Sequence, residues 1–285
     1  MKIYLLNYAT GVAGALLLSL ASAADSQAPQ SVATAVPTYA DLADLALSAP
    51  IAAHVRLADS TPLKGEQAVG VKPNLARFYI EASIVSLIRS PEGVPARVRY
   101  VVDLPRDPKG KPPKLRKGTE FLLFALPVAG RPGEIRLAAP DAQISYVQAR
   151  ADQVRAILKE AVQPGAAPQI TGIGRAFHVP GAIPGESETQ VFLLTAENEP
   201  VSLTVLRRPG EMPQWAVALS EIVDDSAGPP KRDTLLWYRL ACTLPRALPA
   251  QSMAEAEAAG VAAIQGDYRY ILSQLGPCAR NRARR

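Results

Sequence analysis

Two cysteines and two histidines are the sequence's whole stock of the side chains that most often hold transition metals. With no Cys-x-x-Cys pair and no cysteine cluster, a structural zinc site and a thioredoxin-like redox centre are both excluded. The acids Glu186, Glu188, Asp224 and Asp225 lack the spacing of a calcium loop, so no metal is expected. Gly172 and Gly174 stand without the third glycine and the strand-to-helix turn of a dinucleotide fingerprint, so no cofactor is expected. Also missing are an internal repeat of fixed period and strong charge of either sign: 31 Lys+Arg stand against 26 Asp+Glu, a formal charge of +5.

The start of the chain reads as an address. Lys2, the apolar segment Gly11–Leu20 and the small-x-small triplet Ala21-Ser22-Ala23 form a secretory signal peptide over residues 1–23. The alternative is a membrane anchor, but the apolar segment is shorter than the ~20 residues a spanning helix needs. No transmembrane segment is expected in the mature chain. Loss of Lys2 with the leader leaves 30 basic against 26 acidic residues, or +4. An exported setting permits a bond between Cys242 and Cys278, and closing that loop is worth about 4 kcal/mol by chain entropy. Two buried free thiols are the alternative.

After a lead-in at 24–38, Thr38 and Asp41 have the spacing of a helix capping box, with Leu42, Leu45 and Ala46 as the apolar stripe and Pro50 as the stop. Five strands follow. They are the alternating stretch from Ile51 to Leu57, with His54 on its polar face as an exposed structural residue, then Phe78–Ile88 with a bulge near Ser86, Arg97–Leu104, Glu120–Leu126 and Glu134–Ala138. Glu120–Leu126 is apolar on both faces. Five short strands behind one helix suit a small closed or half-open β-barrel over 39–143.

The order of these features, with a long second strand ending near Arg89 and Gly118 standing before Phe121-Leu122-Leu123-Phe124, resembles the oligonucleotide/oligosaccharide-binding (OB) barrel and its netrin-like relatives over Ala49–Gln143. Those relatives carry an N-terminal cysteine that this half lacks. The resemblance therefore implies the barrel and no inhibitor activity.

Between two barrel strands lies Arg106–Lys117, where Arg106, Lys109, Lys111, Lys114, Arg116 and Lys117 face a single acid, Asp107. Such density favours an anionic partner, an envelope polymer or another envelope protein; the alternative is a proline-stiffened loop kept soluble by its lysines. It has no aromatic side chain on which a base could stack, so no nucleic acid is expected.

Residues 144–168 read as a connecting helix and linker, with Val147, Ala151, Val154, Ile157, Leu158 and Ala161 at helical spacing before Pro164-Gly165. A second unit, an α+β meander over 169–278, begins with Ile170–Val179, which places Ile173, Phe177 and Val179 on one face and Gly172, Gly174, Ala176 and His178 on the other. Gln190–Thr195, Val201–Arg208 and Gln214–Val223 continue the antiparallel set, with Val201, Leu203 and Val205 sharing a face, and Trp215, Val217 and Leu219 another. Asp233 has the position of a cap for a helix carrying Leu236, Trp237 and Leu240, and a last helix over Ser252–Leu275 stops at Gly276-Pro277. The disulfide would clamp these two helices. Arg280, Arg282, Arg284 and Arg285, in the basic tail 279–285, read as a solvated end.

The segment Ala176–Leu194 resembles stretches of uncharacterised exported bacterial proteins, which implies export and assigns no activity. The expected fold class is thus α+β, mostly antiparallel β: a small OB-like barrel followed by a meander domain with disulfide-tied C-terminal helices. The expected role is an exported, periplasmic or secreted envelope protein that binds rather than catalyses. The competing class is a hydrolase with His178 as base, Ser187 as nucleophile and Asp224 or Asp225 orienting the imidazole. Gly185-Glu186-Ser187-Glu188-Thr189 lacks the closing glycine and following helix of a nucleophile elbow, so that class rests on loop convergence alone.

Overall fold

The computed structural model describes residues 36–219 and 228–282; the leader, most of the lead-in, Asp224, Asp225, Arg284 and Arg285 lie outside the described residues. Helix α1 (Tyr39–Ser48) opens with the expected capping box: Asp41 N–H donates to the Thr38 hydroxyl, and Thr38 N–H donates to the Asp41 carboxylate at 2.9 Å. Six antiparallel strands follow, β1 (Ile51–Pro62), β2 (Leu75–Arg89), β3 (Arg97–Pro105), β4 (Glu120–Pro127), β5 (Ile135–Leu137) and β6 (Gln143–Ser145). Their order is β3-β2-β1-β4-β5, with β6 taking the remaining length of the β4 edge. An Arg99–Glu134 bridge, with Arg99 N–H donating to Gly133 C=O at 2.8 Å, nearly closes the sheet into a barrel. The expected bulge is present one residue from Ser86, where Val85 is skipped between the pairs His54–Ser86 and Val55–Ile84.

Strand β4 explains why its sequence is apolar on both faces. Leu123 and Ala125 point into the barrel with Val55, Phe78, Ile80, Val98 and Tyr100, while Leu122 and Phe124 join a second core outside it. That second core is built on α1, on helix α2 (Gln148–Ala161) through Ala151, Val154 and Ile157, and on a four-stranded meander. Helix α2, expected as a connector, therefore packs on α1 and shares a core with the meander.

The meander runs β10-β9-β8-β7, from β7 (Ile170–Pro180) through β8 (Ser187–Thr195) and β9 (Val201–Arg207) to β10 (Gln214–Ala218). Val201, Leu203, Val205, Trp215 and Val217 are buried as expected, and Leu219, just past the strand end, is exposed. Strand β7 departs from simple alternation. A bulge between Ile173 and Ala176 flips the register, so Ile173 and Ala176 both face the core while Phe177 and Val179 are exposed.

Helix α3 (Leu235–Ala241) is capped by the Thr234 hydroxyl, not by Asp233, which takes a positive φ of 59° in the preceding turn. The expected long last helix is two pieces, a 3-10 turn at Ala250–Met253 and α4 (Ala258–Leu275). The Ser252 hydroxyl donates to Pro249 C=O at 2.7 Å, a local bond of the kind that competes with helix continuation. Cys242 and Cys278 form the disulfide, and the Trp237 indole N–H donates to Leu275 C=O at 2.9 Å beside it. The tail is not a solvated end through residue 282: Arg280 and Arg282 dock on carboxylates of the protein body, because Asp44 and Asp141 lie within reach. Among the described residues no helix is long and apolar enough to cross a membrane.

Candidate functional site

The basic stretch is the loop from the end of β3 to the start of β4, and its backbone is tied down from within. The Asp107 carboxylate accepts the N–H groups of Lys109 and Lys111 at 2.9 and 2.7 Å, an Asx-type turn completed by Gly110, whose φ of 75° suits glycine. Arg106 is consumed structurally: its guanidinium donates to the carbonyls of Leu75 and Gly110. At the far end Gly118 N–H donates to Leu57 C=O, and Leu115 packs against the barrel core. Lys117 pairs with Asp59 at 3.2 Å and draws its carboxyl below the usual value. Lys109, Lys111, Lys114 and Arg116 remain exposed and form no ion pair among the described residues. Four of the six expected binding residues are thus free cations on a fixed loop.

His178 sits on β7 opposite Thr189 of β8 and has a buried relay behind it. Thr189 donates its hydroxyl proton to Asp267 of α4, whose carboxylate also accepts from Arg207 Nε at 2.7 Å. The single Thr189 proton being committed, the 2.9 Å contact between His178 Nδ1 and Thr189 Oγ1 requires Nδ1–H as donor. In the neutral ring that assignment leaves Nε2 as the acceptor nitrogen. Thr189 and Asp267 are each 1 % exposed, whereas His178 lines a groove of about 860 Å³ between β7 and the Gln251–Gly260 segment.

Ser187 is not the partner of His178. It pairs with Pro180 and Arg207 and lines a separate groove of about 210 Å³ beside Glu186 and Glu188. The acid behind His178, reached through Thr189, is Asp267 on α4, while Asp224 and Asp225 lie outside the described residues. Sequence reading missed Asp267 and Thr189. A lone acid among Ile264, Tyr268 and Ile271 on the buried stripe of α4 was the available signal.

His54 differs most from expectation. Strand β1 is covered on both faces, so His54 is 7 % exposed, with Nε2 3.0 Å from Glu120 Oε2 and its ring stacked on Tyr146 at 3.6 Å. Arg56 forks onto the other Glu120 oxygen, and the hydrogen bonds from Arg56 and then His54 hold that carboxyl below its ordinary range. Among the described residues no three His, Cys, Asp or Glu side chains converge as a metal site. Comparison with protein families and with curated proteins gives no match.

Proposed function

We propose that the chain is an exported cell-envelope protein, periplasmic or secreted, that acts by binding, with the outer face of the loop at 106–117 as its contact for an anionic envelope polymer. The observation that carries this reading is the set of four exposed cations, Lys109, Lys111, Lys114 and Arg116, without ion-pair partners among the described residues, on a loop whose backbone is already fixed. A fixed loop loses little conformational freedom on binding, so its field acts at small ordering cost. Export is supported by the leader pattern at Met1–Ala23 and by the Cys242–Cys278 bond, which persists in oxidising compartments.

Retention on immobilised lipopolysaccharide or teichoic-type polymer, measured across a salt series, tests the reading. Reversal of Lys109, Lys111 and Lys114 to glutamate is expected to abolish retention at low salt. Salt-insensitive retention, or retention unchanged in the triple variant, rejects the loop as the contact.

The hydrolase reading keeps one supporting feature, the Asp267–Thr189–His178 relay that frees Nε2 toward a groove. An ester, glycan or peptide substrate cleaved by the wild type and not by His178→Ala would establish it over binding.

A further inference from the structure

A second groove, of about 500 Å³, opens at the other end of the barrel strands from the basic loop, where the end of β2 meets α1, α2 and α3. Its floor is apolar, formed by Leu47, Ile88 and Leu158, and its walls carry Arg89, Arg155, Lys159 and Arg239. Among the described residues no carboxylate lines it. Arg89 donates one bond to Ala46 C=O, and Arg155 bridges to Asp152 at 2.9 Å and donates weakly to Ser86. Lys159 and Arg239 have no ion-pair partner among the described residues, and Arg239 Nε is buried with no hydrogen-bond partner. A single buried N–H left unsatisfied costs free energy, and Arg239, half-buried as a residue, lines the groove. The volume falls within the range of small-molecule sites, about 300–1,000 Å³.

We propose that this groove binds a small amphipathic anion, a carboxylate carried on a medium-length hydrocarbon chain. The chain lies on Leu47, Ile88 and Leu158, and the carboxylate accepts from Arg239, with Lys159 adding a point charge at the exposed rim. Arginine suits the inner position because its planar fork matches a carboxylate in two bonds. The site needs both halves of the ligand: an apolar floor holds no acetate, and four cations discourage a neutral chain.

Isothermal titration of the full mature protein with decanoate, decanol and acetate tests this. Decanoate is expected to bind saturably at one site, tighter than either of the others. Arg239→Met, which keeps the packing of the stem, is expected to weaken decanoate about ten-fold or more, the loss of a charge-assisted bond. Lys159→Glu, on an exposed side chain, is expected to weaken it in the same direction. The Lys109, Lys111 and Lys114 charge reversal is expected to leave decanoate affinity unchanged, which separates this site from the loop. The proposal is overturned if decanol or acetate binds as well as decanoate, if Lys159→Glu leaves decanoate affinity intact, or if the loop variant removes it.

Discussion

Arg280 and Asp44 stand 236 residues apart in the chain and meet through Nε to Oδ2 at 2.7 Å and Nη2 to Oδ1 at 3.1 Å. The same Asp44 accepts the Tyr238 hydroxyl at 2.7 Å, so one carboxylate joins α1, α3 and the tail. Around it the tail continues as a strap: Asn281 and Arg282 give their backbone N–H groups to Asp41, and Thr38 gives its hydroxyl to Ala279 C=O. The N-terminal turn of α1 is thereby finished by the last described residues of the chain.

Burial raises the Asp44 carboxyl, but the hydrogen bonds from Arg280 and Tyr238 and the charges of Arg280 and Arg282 outweigh it and set its pKa below 3.8. A carboxylate depressed in the folded state contributes stability that is present above its unfolded value and lost as pH falls through the folded one. Asp44→Asn is therefore expected to lower stability at pH 7 by roughly 1.5–3 kcal/mol, and to flatten the loss that the wild type suffers from about pH 4 downwards. Thermal melts from pH 7 to pH 2 for both proteins check it; parallel curves would show that the strap contributes nothing through this group.

The disulfide anchors the strap at its root, since Cys278 precedes Ala279 and Arg280 directly. Reduction, or the Cys242→Ser/Cys278→Ser pair, releases a closed stretch of 36 residues and is expected to cost about 4 kcal/mol on the entropic account. Denaturant midpoints with and without reductant measure it. A midpoint indifferent to reductant in the wild type contradicts the expectation.

Thr189 separates structure from chemistry in the His178 groove. Thr189→Val leaves Asp267, 1 % exposed, with Arg207 alone and strips Nδ1 of its partner. The expected cost is about 1–3 kcal/mol, the penalty of an unmet buried polar group. Nitrogen chemical shifts of the His178 ring are expected to move from one dominant tautomer toward a mixture, which packing loss alone does not produce.

Strand existence was legible where periodicity and turn residues agreed from Ile51 onwards, though not for β6, whose 3 residues are too short to show a period, and so was the disulfide, since two cysteines allow one pairing within the chain. What escaped shares a cause: contacts between residues far apart in sequence. Alternation placed His54 on a polar face, yet α1 and α2 cover that face and Tyr146 stacks on the ring. Alternation also misplaced Phe177, because the bulge after Ile173 adds a residue that no composition signal marks. Arg280 and Arg282 read as tail charges since Asp44 and Asp141, their partners, are distant in the chain. The groove beneath Arg239 draws on four elements and has no local pattern at all.

Glu120 is the shared anion of His54 and Arg56, and both bonds lower its pKa, Arg56 foremost. Depression of a carboxyl places its contribution above the unfolded value, to be lost as pH falls through the folded one. Glu120→Gln keeps the shape but donates from one atom, so it faces His54 Nε2 and Arg56 with a single acceptor oxygen. The variant is expected to be less stable than the wild type at pH 7 and to converge with it in acid. Arg56 is the more exposed partner, so Arg56→Lys, which retains charge and loses the fork, is expected to fall between the two. Melting temperatures across pH 3 to 8 decide it: a Glu120→Gln protein as stable as wild type at neutral pH would mean that the Tyr146 stack alone positions His54.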